Sequence, residues 1–171
     1  MKREFRGASK LALNALCIVL VFLSTRILQF PIPLGYAHPG TAVILLVAVY
    51  FGPASGALAG GFGSALADLT SFPEWTLPTL LVKTLMGLLC GLIAGPASAD
   101  RSRLRQMRVL IAGIAAVLEM VAGYVAAGSV LYGSVATGLT QTPGLALEGA
   151  VGLVLFYLLG GALERTGVLK K

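Results

Sequence analysis

The sequence predicts an all-α integral membrane protein, a six-transmembrane-helix bundle forming one domain with both termini cytoplasmic. Three observations carry this reading. Of the 171 residues, 57% are hydrophobic and only 12% are charged, a balance that no water-soluble domain of this size sustains. The apolar residues fall in runs at about 10–28, 40–51, 53–68, 78–95, 108–131 and 143–163, punctuated by proline or glycine. Finally, the lysines and arginines collect on one side if each of these runs crosses the bilayer.

Taking the runs in order, the first follows the basic stretch MKREFRGASK. It is long and lacks a small-residue cleavage site, so it reads as an uncleaved helix rather than a signal peptide. The second is short beside the roughly 20 residues a bilayer core requires, and residues 41–67 could instead be fused into one helix. Charge decides between the two. With six spans, Lys2, Arg3, Arg6 and Lys10, then Arg101, Arg103, Arg105 and Arg108, then Arg165, Lys170 and Lys171 all lie inside, leaving only Arg26 and Lys83. Five spans would place the Arg101–Arg108 cluster outside, opposite the basic N-terminus. Gly52-Pro53 therefore reads as a tight cytoplasmic turn. The outer loops, residues 29–39, 69–77 and 132–142, carry Tyr36, His38, Phe72, Trp75 and Tyr132. Such aromatics either anchor the membrane interface or cap a pocket that opens outward.

The third and fourth runs give up side-chain volume in register. Every fourth residue of FGPASGALAGGFGSALADL falls on one stripe, Gly52, Gly56, Gly60, Ser64 and Asp68, and the next helix repeats the device as Lys83, Gly87, Gly91 and Gly95. Small residues on one face let backbones approach closely where lipid supplies no hydrophobic drive between helices. In antiparallel spans both charges fall at the outer ends of their stripes, facing a common interior. Two readings of Asp68 and Lys83 follow, a structural ion pair or a ligand contact. At a rise of about 1.5 Å per residue, Tyr124, Glu148 and Arg26 lie at a similar outer level, while Glu119 lies deeper, on a face with Gly123 and Ala127. An ionisable group inside a span is costly without a partner, so Glu119 and Glu148 are candidates for ligand contact or proton chemistry. Arg26 has the alternative of snorkelling to the interface.

Other chemistries find no support. Cys17 and Cys90 stand in apolar runs without a CxxC or a histidine nearby, and read as small core residues. No GxxxxGK[ST] is present, so no nucleotide cradle is expected, and GGFGS at 60–64 lies inside a membrane helix without strand-turn-helix context. The single histidine, His38, cannot build a metal site, and no serine or cysteine has a histidine at motif spacing. The chain reads as no enzyme, and its positive charge as a topology signal rather than a nucleic-acid surface.

The run HPGTAVILLVAVYFGPASGALAGGFGSALADL, followed by WTLPTLLVKTLMGLLCGLIAG, resembles the S components of energy-coupling factor (ECF) vitamin importers. The likeness covers about residues 8–160 and is most specific over 38–95. It implies a substrate-binding subunit in a prokaryotic plasma membrane, multi-pass, that captures a vitamin from outside. It further implies docking on a transmembrane T component driven by two cytoplasmic ATPase subunits, which bind the ATP, so that this chain needs no cofactor. Docking in the family uses an AxxxA pattern on the first helix, matched here by Ala8 and Ala12 with Ala15 adjacent. The sixth span departs from the family. It opens Pro143-Gly144-Leu145-Ala146-Leu147-Glu148, where relatives often carry an Asn and then a Gln after the proline.

Two intramembrane glutamates favour a cationic or hydrogen-bond-donating ligand. The expected cargo is a pyrimidine or pyridine vitamin or precursor, such as hydroxymethylpyrimidine, a thiamine-related compound or vitamin B6. Pantothenate is the alternative cargo, since Lys83 and Arg26 can meet an acid, and a stand-alone proton-coupled carrier is the alternative function. Glu119, Glu148, Tyr124 and Lys83 are the expected ligand contacts, with Asp68 orienting Lys83. Tyr36, His38 and Trp75 are expected to close the lid.

Overall fold

A computed structural model describes residues 2–32, 35–96 and 103–166. The helices are α1 (Lys2–Ile27), α2 (Gly40–Phe51), α3 (Pro53–Ser71), α4 (Thr76–Ala94), α5 (Met107–Leu131), the short α6 (Val135–Leu139) and α7 (Thr142–Thr166). Each of the six apolar runs is one helix, with ends within a few residues of those expected at all but the N-terminal boundary, where α1 begins at Lys2. The loop 29–39 contains something the sequence reading lacked. Strands β1 (Phe30–Ile32) and β2 (Gly35–Ala37) form an antiparallel hairpin with Pro31 opposite Tyr36.

Among the described residues, four segments are long and apolar enough to cross a membrane: Gly7–Ile27, Pro73–Ala94, Met107–Leu131 and Val135–Thr166. α2 has only 12 residues, and its position explains why it needs no more. It packs against α1, α3, α4 and α7, burying Thr41, Ile44, Leu45 and Ala48. A helix that is apolar all round belongs inside a bundle. Gly52 separates it from α3 with a φ of 93°, a conformation open to glycine and strained for other residues. Pro53 opens the next helix, at a position where its missing N–H costs nothing. The tight turn expected at Gly52-Pro53 is thus present.

α3 and α4 pack along their length, and the glycine stripes set their register. A Cβ on Gly60 would stand 2.6 Å from the Lys83 carbonyl oxygen, one on Gly56 2.9 Å from that of Gly87, and one on Gly91 2.6 Å from the Pro53 nitrogen. Backbone meets backbone, as small-residue packing requires. Cys17 and Cys90 are both buried free thiols.

Several basic residues gather at one end. There Tyr50 Oη donates to Glu164 Oε1 at 2.9 Å, the Leu104 N–H donates to the same oxygen at 3.1 Å, and the Arg108 guanidinium covers Gly95. Arg105 and Arg165 are exposed beside them. Lys2, Arg3, Arg6, Arg101, Arg103, Lys170 and Lys171 have side chains outside the described residues.

Candidate functional site

At the opposite end of the bundle the hairpin, the α3–α4 turn, α5 and α7 line a cavity of about 40 Å³. It is built on a buried ammonium. Lys83 Nζ is 0% exposed and reaches from α4 to three other helices, donating to Thr41 Oγ1 of α2 at 3.0 Å, Met120 Sδ of α5 at 3.0 Å and Glu148 Oε1 of α7 at 3.1 Å. The Thr41 hydroxyl in turn donates to Glu148 Oε1 at 2.7 Å. A buried charge survives only when paired and hydrogen-bonded, and Lys83 meets both conditions. It also lies 5.5 Å from the centre of the Tyr124 ring, within cation–π range.

Lys83 therefore pairs with Glu148, and of the two readings of Asp68 and Lys83 the ion pair between them is not formed among the described residues. The glycine register gives the reason. Gly60 lies level with Lys83, so Asp68, eight residues farther along an antiparallel helix, sits about 12 Å closer to the outer end, level with Trp75. There Asp68 Oδ1 accepts a hydrogen bond from the Tyr36 hydroxyl, which ties the hairpin to α3.

Six of the eight sequence-predicted contacts line the cavity: Tyr36, His38, Asp68, Trp75, Tyr124 and Glu148. Lys83 lies behind Glu148, beneath the wall. Glu119 is the exception. The inner stripe of α5 is Ala116, Met120, Tyr124 and Gly128; Glu119 and Gly123 lie on the neighbouring stripe, where Val82 of α4 packs over Gly123 and approaches to 2.9 Å of where its Cβ would stand. Glu119 is half-buried outside the cavity lining, and its Oε2 has no hydrogen-bond partner among the described residues. Arg26 is exposed, as snorkelling requires.

His38 shows its protonation state in its contacts. Nδ1 accepts the Gly40 N–H at 3.1 Å, so the neutral ring carries its proton on Nε2, which lies 3.7 Å from Glu148 Oε1. Burial holds the imidazole down at about 4, assisted by Lys83 and opposed by Glu148. Burial likewise raises the Tyr36 phenol, with Asp68 adding to the effect. All partners of Glu148 meet Oε1; among the described residues none meets Oε2.

Sequence reasoning missed Thr41, Thr79, Met120 and Gln141. Thr79 was findable, since it stands one turn from Lys83 on the same face of α4; its hydroxyl and that of Tyr124 are 2.9 Å apart. Gln141 comes from the loop before α7 and carried no periodic signal.

These features match a known family. The model for the ECF-type riboflavin transporter S component covers residues 7–165. The chain belongs to that family. Among curated proteins, a relative described as an uncharacterized protein in gap 3'region of Pyrococcus woesei is 36% identical over 153 residues, spanning 84% of this chain and 99% of its own. The thiamine precursor transporter HmpT of Lactococcus lactis subsp. cremoris is 32% identical over 173 residues, 96% of this chain and 93% of its own. This S component is accordingly a multi-pass membrane protein of vitamin-type transport.

Proposed function

We propose that this chain is the high-affinity substrate-binding subunit of an ECF-type ABC importer for a thiamine-precursor-like pyrimidine or related pyridine. In this reading α1 to α5 and α7 all span the membrane, both termini are cytoplasmic, and the cavity faces out beneath the hairpin. The observation that carries the cargo class is charge. The cavity wall presents two carboxylates, Asp68 and Glu148, against the one ammonium of Lys83, and the Lys83 ammonium is directed at Glu148 Oε1 from behind. Asp68, once Tyr36 releases it, and Glu148 Oε2 serve a ligand that donates hydrogen bonds or carries positive charge, as an aminopyrimidine does. The printed function of the HmpT relative supports the same class. Pantothenate, an acid, would meet two carboxylates and no exposed ammonium.

A volume of about 40 Å³ accommodates on the order of three waters, and in this reading the hairpin lifts to admit a heterocycle, breaking the Tyr36–Asp68 bond. Energy comes from partners in this reading: a T component docking on the exposed Ala8, Ala12 and Ala15 of α1, with ATP hydrolysed by two cytoplasmic ATPases. Mass spectrometry of small molecules copurifying with the detergent-solubilised protein tests the cargo; an anionic vitamin as the sole retained compound overturns the assignment.

Glu119 favours a second reading. A half-buried carboxylate with an unpartnered oxygen is what a proton-coupled carrier requires. Proteoliposomes separate the two: uptake driven by a proton gradient without ATPase subunits establishes the carrier, and uptake only with the ATP-driven partners establishes the importer.

A further inference from the structure

The charged groups account for part of the cavity wall. The neutral polar part is built by Trp75, Thr79, Tyr124 and Gln141, all lining the same space. The hydrogen bonds there are distributed unevenly. The Thr79 and Tyr124 hydroxyls bond each other at 2.9 Å. Gln141 Nε2 is directed at the carbonyls of Tyr124 and Gly138, 3.4 Å from each. Trp75 is 5% exposed, yet its Nε1–H has no acceptor among the described residues.

The indole is held firmly. Its six-membered ring sits against α5, with Cη2 at 3.3 Å from where a Cβ of Gly128 would stand, and its ring centre lies 5.8 Å from that of Tyr124 and 6.1 Å from that of Tyr132. This seat uses the six-membered ring and leaves the N–H unengaged. Leaving a buried donor unpaired is unfavourable, and the unpaired group belongs to a residue of the cavity wall.

We propose that Trp75 is a specificity-determining residue whose indole N–H donates a hydrogen bond to an acceptor on the cargo. The cargo then carries two kinds of group, a donor or cationic edge for Asp68 and Glu148 and a hydroxyl, carbonyl oxygen or ring nitrogen for Trp75. The proposal rests on the binding-subunit reading above and adds this acceptor contact. It selects hydroxymethylpyrimidine over its analogue bearing a methyl group in place of hydroxymethyl. A pocket that hydrogen-bonds a substrate group discriminates strongly against the analogue lacking it.

Trp75 is the single tryptophan of the chain, so one indole signal reports on the site without any substitution. The test titrates hydroxymethylpyrimidine, pyridoxine, thiamine, riboflavin and pantothenate into detergent-solubilised protein labelled with nitrogen-15 at tryptophan, following binding by calorimetry and the indole resonance by NMR. The expected result is binding of hydroxymethylpyrimidine with a downfield shift of the indole proton, no such shift with the methyl analogue, and weaker binding of that analogue. Trp75→Phe, which keeps an aromatic ring and deletes the donor, should weaken hydroxymethylpyrimidine about fivefold and leave the methyl analogue unchanged. Binding of a compound with the indole proton unmoved overturns the role of Trp75 and leaves the binding-subunit reading intact. Binding of none of the five overturns both.

Discussion

Replacing Lys83 with methionine removes the buried ammonium while keeping a side chain of similar length. The wild-type contacts set the size of the effect. Lys83 and Glu148 are 0% and 4% exposed, and the ammonium supplies one of the two close hydrogen bonds to Glu148 Oε1, Thr41 the other. Deleting one partner of such a pair leaves an uncompensated buried charge, at a cost of about 3–5 kcal/mol. For a chain of this length that lowers the melting temperature by on the order of 10 °C. Adding Glu148→Gln removes the stranded carboxylate while keeping an acceptor for Thr41, and the double variant should recover most of the loss. The two variants therefore separate architecture from recognition. In detergent thermal unfolding the double variant melts well above the single one; in calorimetry with an aminopyrimidine it binds weakly or not at all, because the Glu148 charge is gone. A single variant melting within about 1 °C of wild type, or a double variant no more stable than the single, refutes the pairing. A double variant that binds as wild type does refutes Glu148 as a recognition group.

Three further outcomes follow from local geometry. Gly60→Ala drives a methyl to 2.6 Å from the Lys83 carbonyl oxygen, whereas Gly161→Ala in α7 meets nothing within 4 Å; the first should destabilise by about 1–3 kcal/mol and the second stabilise by about 0.5–1 kcal/mol, opposite signs that thermal unfolding reads directly. His38 is held neutral down to about 4 against an ordinary 6.5, so below 6.5 the unfolded chain takes up a proton that the folded one refuses. Its contribution is present above pH 6.5 and lost as pH falls toward 4, a difference of about 3 kcal/mol. His38→Gln, which can still accept the Gly40 N–H, should flatten that acid limb, and an unchanged limb assigns it to the carboxylates. Glu119→Gln should leave ligand affinity unchanged, because the side chain lies outside the cavity, and a calorimetric loss of binding would return Glu119 to the site.

Helix positions were legible because each is written in runs of apolar residues closed by glycine or proline, and the α3–α4 contact was legible because its glycines repeat every fourth position. What the stripes do not carry is vertical offset. Asp68 and Lys83 each end a stripe, which invites pairing, but the offset is set by which glycine faces which carbonyl, and only coordinates show Gly60 against Lys83. The same holds for Glu119. A helical face is read to within about one residue, or 100°, and that single step decides between the cavity and the flank of α4. The hairpin was hidden for another reason: three-residue strands are too short to show alternation, and Pro31 within the run argues against a strand except at an edge, where it stands.

The distribution of polar groups in the cavity argues for a binding subunit over a purely structural polar core. Beneath the wall, Lys83, Thr41 and Glu148 Oε1 bond one another, so the charge that fastens α2, α4 and α7 together needs nothing from outside. In the wall, the bonds are provisional: Asp68 is held by Tyr36 from a hairpin of three-residue strands, the partners of Glu148 among the described residues all meet Oε1, and Trp75 Nε1 has no partner among them. A core selected for stability alone would satisfy these groups or replace them with apolar ones, since half-satisfied polar networks are less stable than either. A site that must open, take a polar heterocycle and close again needs a floor that stays bonded through the cycle and walls that exchange partners with the cargo. Single substitutions that strand a charge in the floor, such as Lys83→Met, should therefore move melting temperature and affinity together, and conservative substitutions in the wall, such as Trp75→Phe, should move affinity with little change in the melting of the unliganded protein.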